Sequence, residues 1–205
     1  VSRRAAIRRV GWVVLAANLL LAASKGLVYW ESGSLAVGGE AVNSLADSAY
    51  SLVVLAGLYL TTQPPDFEHP HGHERIEPFV SLVVALGIVA AGVAVLWQAT
   101  QSVLAGAPEP NVGLPAVGVL VASAALKYGL YRYVLGVGEQ HGSPALVATA
   151  LDNRNDILTA GAALVGVLGA WAGFPILDPL AAGVVSLGIF YTGYVVVRDN
   201  VDYLV

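Results

Sequence analysis

Between Pro78 and Pro108 the chain carries no Asp, Glu, Lys or Arg. That run is longer than the roughly 20 apolar residues a helix needs to cross ~30 Å of hydrocarbon. No soluble core takes in so long an uncharged stretch. The remainder follows suit: of 205 residues 57% are hydrophobic and 12% charged, with mean hydropathy +0.71. Such a composition lies outside the range of soluble domains. The chain therefore reads as a membrane protein.

Six apolar segments follow one another, at 10–30, 34–60, 78–104, 114–135, 144–172 and 179–198. Each is about as long as one helical crossing requires. Turn and breaker residues fill the connectors, as in Glu31-Ser-Gly-Ser34, Gly106-Ala-Pro-Glu-Pro110 and Gly173-Phe-Pro175. The expected fold is all-α: a single polytopic transmembrane domain over residues 1–205 with six transmembrane helices. The basic start (Arg3, Arg4, Arg8, Arg9) followed by an apolar stretch has the outline of a secretory signal. However, the stretch Val10 to Trp30 is too long for a signal h-region and no small-residue cleavage site follows it, so it is read as a retained helix.

Lys and Arg at the span ends are all on one side: Arg3, Arg4, Arg8, Arg9, Arg75, Arg132 and Arg198. The opposite connectors hold only Glu31, Glu109 and Asp178. By the positive-inside rule both termini are expected in the cytoplasm. These basic residues are few and sit at helix ends, which gives no footprint for nucleic acid. With no cysteine there is no disulfide framework, thiolate metal site or cysteine nucleophile. The absence of methionine leads to the expectation that the chain is part of a longer protein.

Charges inside the spans are the informative ones, because each costs about 2.5 to 3.5 kcal/mol at a helix centre. The second segment places Asn43 and Asp47 four residues apart, and the fifth repeats the spacing with Asp152 and Asp156. Each pair thus shares one helix face. Helices two and five cross in opposite directions, and Asp47 and Asp156 each lie about 12 or 13 residues, roughly 18 to 20 Å, from the cytoplasmic end. They are level with each other near the midplane. Three carboxylates and an amide in one dry place require neutralisation by a cation or by protons. Arg154 is two residues from both Asp152 and Asp156 and so points to roughly the opposite face. Lys25 and Lys127 are left to pair with other acids such as Glu40, in an order the sequence does not fix. The structural alternative is an ion-pair network that pins two helices.

At these residues the chain resembles the cation diffusion facilitator family of six-helix divalent-metal/proton antiporters. The resemblance runs through Ser32-Gly-Ser-Leu-Ala36, Asp47-Ser48, His69-Pro-His-Gly-His73 with Glu77, Ser143-Pro-Ala-Leu146 and Asp156-Ile-Leu-Thr159. Each motif alone is weak, and their order and spacing across six spans carry the match. It implies a transport site of Asn43, Asp47, Asp152 and Asp156, with no organic cofactor. Zinc-transporting members usually have a histidine at the position of Asp152, and often Asp or His at that of Asn43. Here both are oxygen donors, which suit harder ions than imidazole does. The substrate implied is Mn2+, as in the family's manganese-type branch, with Fe2+ next and Zn2+ the alternative.

The loop between helices two and three offers Asp66, His69 and His73, matching a peripheral cytoplasmic metal site of some members. The same residues are equally read as a solvated loop that orders helix three. His71 is an extra donor, and His141 is read as a surface residue. The resemblance further implies a homodimer in the cell (plasma or inner) membrane; Arg75 paired to Asp199 or Asp202 would hold its cytoplasmic face together, and the same pair is equally read as a surface contact worth about 0 to 1 kcal/mol. It also implies a soluble cytoplasmic domain after helix six, absent from a chain that stops at Val205. The expected activity is export of a divalent cation by alternating access, with protons returning inward as metal leaves. The competing classes are an intramembrane aspartate enzyme, which lacks a nucleophile beside its acids, and a metal-binding scaffold that does not transport.

Overall fold

The computed structural model describes the backbone of residues 3–60 and 76–201 and the side chains of 5–56 and 81–198. All elements among the described residues are helices: α1 (Arg3–Ser32), α2 (Leu35–Leu60), α3 (Ile76–Leu104), α4 (Leu114–Gln140), α5 (Pro144–Trp171) and α6 (Leu177–Val201). Four of them, α1, α3, α4 and α6, are long and apolar enough to cross a membrane by length and composition. At 26 and 28 residues α2 and α5 have the length as well, but they carry the internal acids. Helix α1 begins at Arg3, ahead of the apolar stretch, and α4 continues past Gly136 to Gln140. Hydropathy marks only the part of a helix that sits in hydrocarbon, whereas the backbone hydrogen bonds continue past it.

Helices α1, α2, α5 and α4 form a ring in which each touches the next. Helix α6 lies along the seam between α2 and α5, and α3 packs on α6 and α2. One apolar cluster (Val10, Val14, Leu130, Val134, Leu146, Ala150) joins α1, α4 and α5 at the end where α1 starts. A larger one, including Ala36, Val37, Ala163, Val167, Ala182 and Val185 at the opposite end, continues along α6 as far as Val196. Mid-helix residues on the outside are apolar and bare, with Leu158 72% and Leu20 65% exposed. A surface of this kind is satisfied by lipid.

The α1–α2 turn is built on Gly33, whose φ of +67° is the left-handed conformation a side chain disfavours. Its N–H closes α1 on the Tyr29 carbonyl at 2.8 Å. Ser34 then caps α2, its Oγ accepting from the Val37 N–H at 3.2 Å. Asp178, at the start of α6, reinforces that cap from across the bundle. It accepts from the Ser34 hydroxyl, from the Leu35 N–H at 2.7 Å and from the Ala36 N–H at 3.4 Å. A carboxylate at a helix N-terminus meets both the orphan amides and the positive end of the dipole. At this same end α5 and α6 are in such close contact that a Cβ on Gly166 would run into Ala181 and the Leu177 carbonyl. The small residues of both helices make that approach possible.

Candidate functional site

Asp47, Lys127 and Asp156 each lie within about two residues of the midpoint of their helices, α2, α4 and α5, and so share one level. The ring brings them together. The Lys127 Nζ donates to Asp47 Oδ2 at 2.7 Å and to Asp156 Oδ2 at 2.6 Å. Asn43 Nδ2 donates to the other oxygen of Asp156, Oδ1, at 3.0 Å. Lys127 is fully buried, and the two carboxylates keep 13% of their side-chain surface. Both distances are those of strong charge-assisted hydrogen bonds.

Asp152 is one turn from Asp156 on α5 and lines the same cavity as Asp47, Lys127 and Asp156. Asn43 sits behind Asp156, away from the cavity wall, with its Oδ1 buried and unpartnered among the described residues. Among those residues no three His, Asp or Glu side chains already stand in a metal-holding arrangement. The four residues singled out from the sequence are therefore neighbours. Asn43, Asp47 and Asp156 are drawn onto one network, while Asp152 faces the same space from one turn away.

The cavity has about 70 Å³ of water-accessible space, several times the ~10–15 Å³ one water needs. It runs from the acids along Val14, Val10 and Ile7 of α1, Tyr50 and Val54 of α2, Thr149 and Leu146 of α5, and Val195 of α6. All of these lead toward the end where α1 begins, the end that also carries Arg8, Arg9, Arg132 and Arg198 on its exposed surface. Toward the other end the way is filled by Ala36, Val37, Ala163, Val167 and Val185, none exposed by even 1%. Helix α6 reaches the site through Gly188, where a Cβ would come within 2.8 Å of Thr159 Cγ2 and 3.9 Å of Asn43 Oδ1.

Lys127, expected to pair with acids outside the site such as Glu40, is instead held by the two site acids themselves. Arg154, the cation nearest the acids in sequence, is exposed and off the cavity, as its two-residue offset requires. The partner of Glu40 is Lys25: its Nζ is 2.7 Å from Glu40 Oε2 and 3.0 Å from Ser44 Oγ, with both charged groups 1% exposed. His141 is half-buried, its ring Nδ1 3.0 Å from the Val137 carbonyl at the end of α4. The loop residues Asp66, His69, His71 and His73, and the pairing of Arg75 with Asp199 or Asp202, lie outside the described residues.

Buried charge among apolar helices, beside a cavity with room for water, is the pattern that ion paths through membrane proteins share. The chain belongs to the cation efflux family: residues 11–205 match the cation efflux transmembrane domain. It is therefore an integral membrane protein of a family of cation transporters. It is 32% identical over 204 residues to the manganese efflux system protein MneP of Bacillus subtilis (strain 168), a match covering 96% of this chain and 68% of the relative. It is 34% identical over 193 residues to metal tolerance protein C1 of Arabidopsis thaliana, covering 87% of this chain and 41% of that one. The magnetosome protein MamB of Magnetospira sp. (strain QH-2) is 32% identical over 178 residues, with 87% of this chain and 60% of MamB covered. The chain thus spans roughly two thirds or less of the length of these relatives.

Proposed function

We propose that the protein exports a divalent cation from the cytoplasm in exchange for protons, with Mn2+ the favoured substrate and Fe2+ next. The observation that carries this reading is the meeting of Asp47 and Asp156, from two helices of opposite direction, at one cation position beside a cavity with room for water. Asp152 and Asn43, one turn away on the same two helices, complete a set of oxygen donors. Such a set favours a hard divalent ion over zinc, and the similarity to a manganese efflux protein supports the same choice.

In this reading all six helices span the membrane, both termini are cytoplasmic, and the described conformation faces inward. The cavity leads to the basic end of the bundle, which the positive-inside rule assigns to the cytoplasm. The Asp178 cap and the α5–α6 contact hold the outer end shut. Metal entering from the cytoplasm ionises and gathers the carboxylates, and its outward release lets one or two of them take up protons. The packing of α6 on α2 and α5 through small residues provides the surface over which the bundle rocks. The working unit is a homodimer in the plasma membrane.

Flux through the protein reconstituted in liposomes, with Mn2+, Fe2+, Zn2+ and Co2+ supplied in turn, tests the substrate. Mn2+ is expected to move fastest, and Asp152→His is expected to shift preference toward Zn2+. A native protein that moved only Zn2+ would contradict the oxygen-donor argument.

A further inference from the structure

The point at which a bridging metal would sit is held by a part of the protein itself. A divalent ion shared by Asp47 and Asp156 lies at about 2.0 to 2.2 Å from each oxygen, and the Lys127 ammonium lies 2.7 and 2.6 Å from the same two atoms. Both cations are thus placed against the same two oxygens, at distances that differ by only about half an ångström, and their mutual repulsion there keeps both from being present at once. Among the described residues Lys127 makes no other hydrogen bond or ion pair, and its stem is a flexible four-carbon chain.

A place for the displaced ammonium is also built in. Asn18 stands at the middle of α1, level with the site, and lines the same cavity as Lys127. It is 1% exposed, and its Oδ1 has no hydrogen-bond partner among the described residues. A buried carbonyl oxygen left unpaired is a standing cost, and an ammonium is the donor that relieves it. On α4 itself, Ser123 Oγ, one turn from Lys127, is buried and equally unpartnered.

We propose that Lys127 is a tethered competitor of the transported metal, holding Asp47 and Asp156 together while the site is empty and withdrawing toward Asn18 when metal is coordinated. The inference rests on the transport reading above. It involves the exchange of one cation for another, with no bond made or broken and no change of charge on the lysine. Its use to a transporter is to keep affinity low enough for release: whatever free energy the metal gains from the carboxylates is reduced by the lysine's own attachment to them. It also keeps the empty site from carrying uncompensated carboxylates through the membrane interior, so the empty carrier can return.

The test is Mn2+ binding to the purified full chain in detergent, followed by calorimetry, for the native protein and for Lys127→Met, Lys127→Arg and Asn18→Leu. Lys127→Met removes the competitor and is expected to tighten Mn2+ binding about tenfold or more. Lys127→Arg supplies a permanent, forked cation that grips both carboxylates, and should weaken binding by a similar factor. Asn18→Leu should weaken binding in the native background and have no effect in the Lys127→Met background. Weaker or unchanged binding in Lys127→Met overturns the proposal, since a lysine that merely supported the fold or helped hold the metal would give that result. Where Lys127→Met does not yield a monodisperse protein, Lys127→Arg and Asn18→Leu decide, and unchanged affinity in both overturns it. Asp47→Asn and Asp156→Asn separate this inference from the reading beneath it. If both retain native affinity, the metal site itself is misassigned, whatever Lys127 does.

Discussion

Asp178 joins the start of α6 to the start of α2, and its removal should be costly. The carboxylate accepts three hydrogen bonds: from the Ser34 hydroxyl, from the Leu35 N–H at 2.7 Å and from the Ala36 N–H at 3.4 Å. The last is too long to count for much. Bonds to a charged group are worth about 1.5 to 3 kcal/mol each, so the other two place the loss in Asp178→Ala at about 3 to 6 kcal/mol. Ser34 is fully buried and Asp178 is 2% exposed, so water does not readily replace what is lost. The lower half of that range allows for the cap that Ser34 Oγ still gives the Val37 N–H. For a chain of this size about 1 kcal/mol corresponds to ~2–4 °C in Tm, and Asp178→Ala should melt about 6 to 18 °C below native. Asp178→Asn keeps one carbonyl acceptor for Leu35 and should fall near halfway. Thermal unfolding of the purified protein in detergent, followed by fluorescence of its four tryptophans, measures both. A Tm for Asp178→Ala within about 2 °C of native would refute the reasoning, because it would mean that the orphaned amides of α2 find other partners at no cost.

Other expectations are equally direct. The Lys25–Glu40 pair is fully buried between α1 and α2; Lys25→Met should destabilise by about 3 to 5 kcal/mol by stranding the carboxylate, and the double variant with Glu40→Gln should recover most of it. A double variant as unstable as the single one would count against this. Gly188→Val should push α6 off the α2–α5 seam through the contact with Thr159, costing about 1 to 3 kcal/mol and slowing transport; native melting and flux together would show that the seam tolerates the side chain. Asp152→His should raise Zn2+ flux relative to Mn2+ in liposomes, and an unchanged ratio would remove Asp152 from the metal's coordination.

What could be read in advance was depth. Spacing from helix ends fixes how far a residue lies along the helix axis, so spacing alone makes Asp47 and Asp156 level, and the structure joins them through Lys127. Rotation about the axis is different. A helix in lipid is apolar nearly all round, and α4 gives no polar stripe to say which way Lys127 turns; only its packing between α1 and α5 aims it into the ring. For the same reason the sequence did not assign Lys25 to Glu40, since two buried lysines and several acids allowed more than one pairing. Helix boundaries ran past the apolar segments at Arg3 and at Gln140, because hydropathy records the solvent around a helix and not its hydrogen bonds. The cap at Asp178 was hidden as well: to the sequence it was a charge in a connector, and its partners at Ser34 to Ala36 are distant along the chain.

The central claim is that Asp47 and Asp156 form the point through which metal crosses in exchange for protons. It is tested most directly by loading liposomes containing the protein with a pH indicator and imposing a Mn2+ gradient. The native protein should move protons against the metal flow, and Asp47→Ala and Asp156→Ala should each abolish both fluxes while still inserting in the membrane. Mn2+-driven proton movement that survives in both variants would contradict the account.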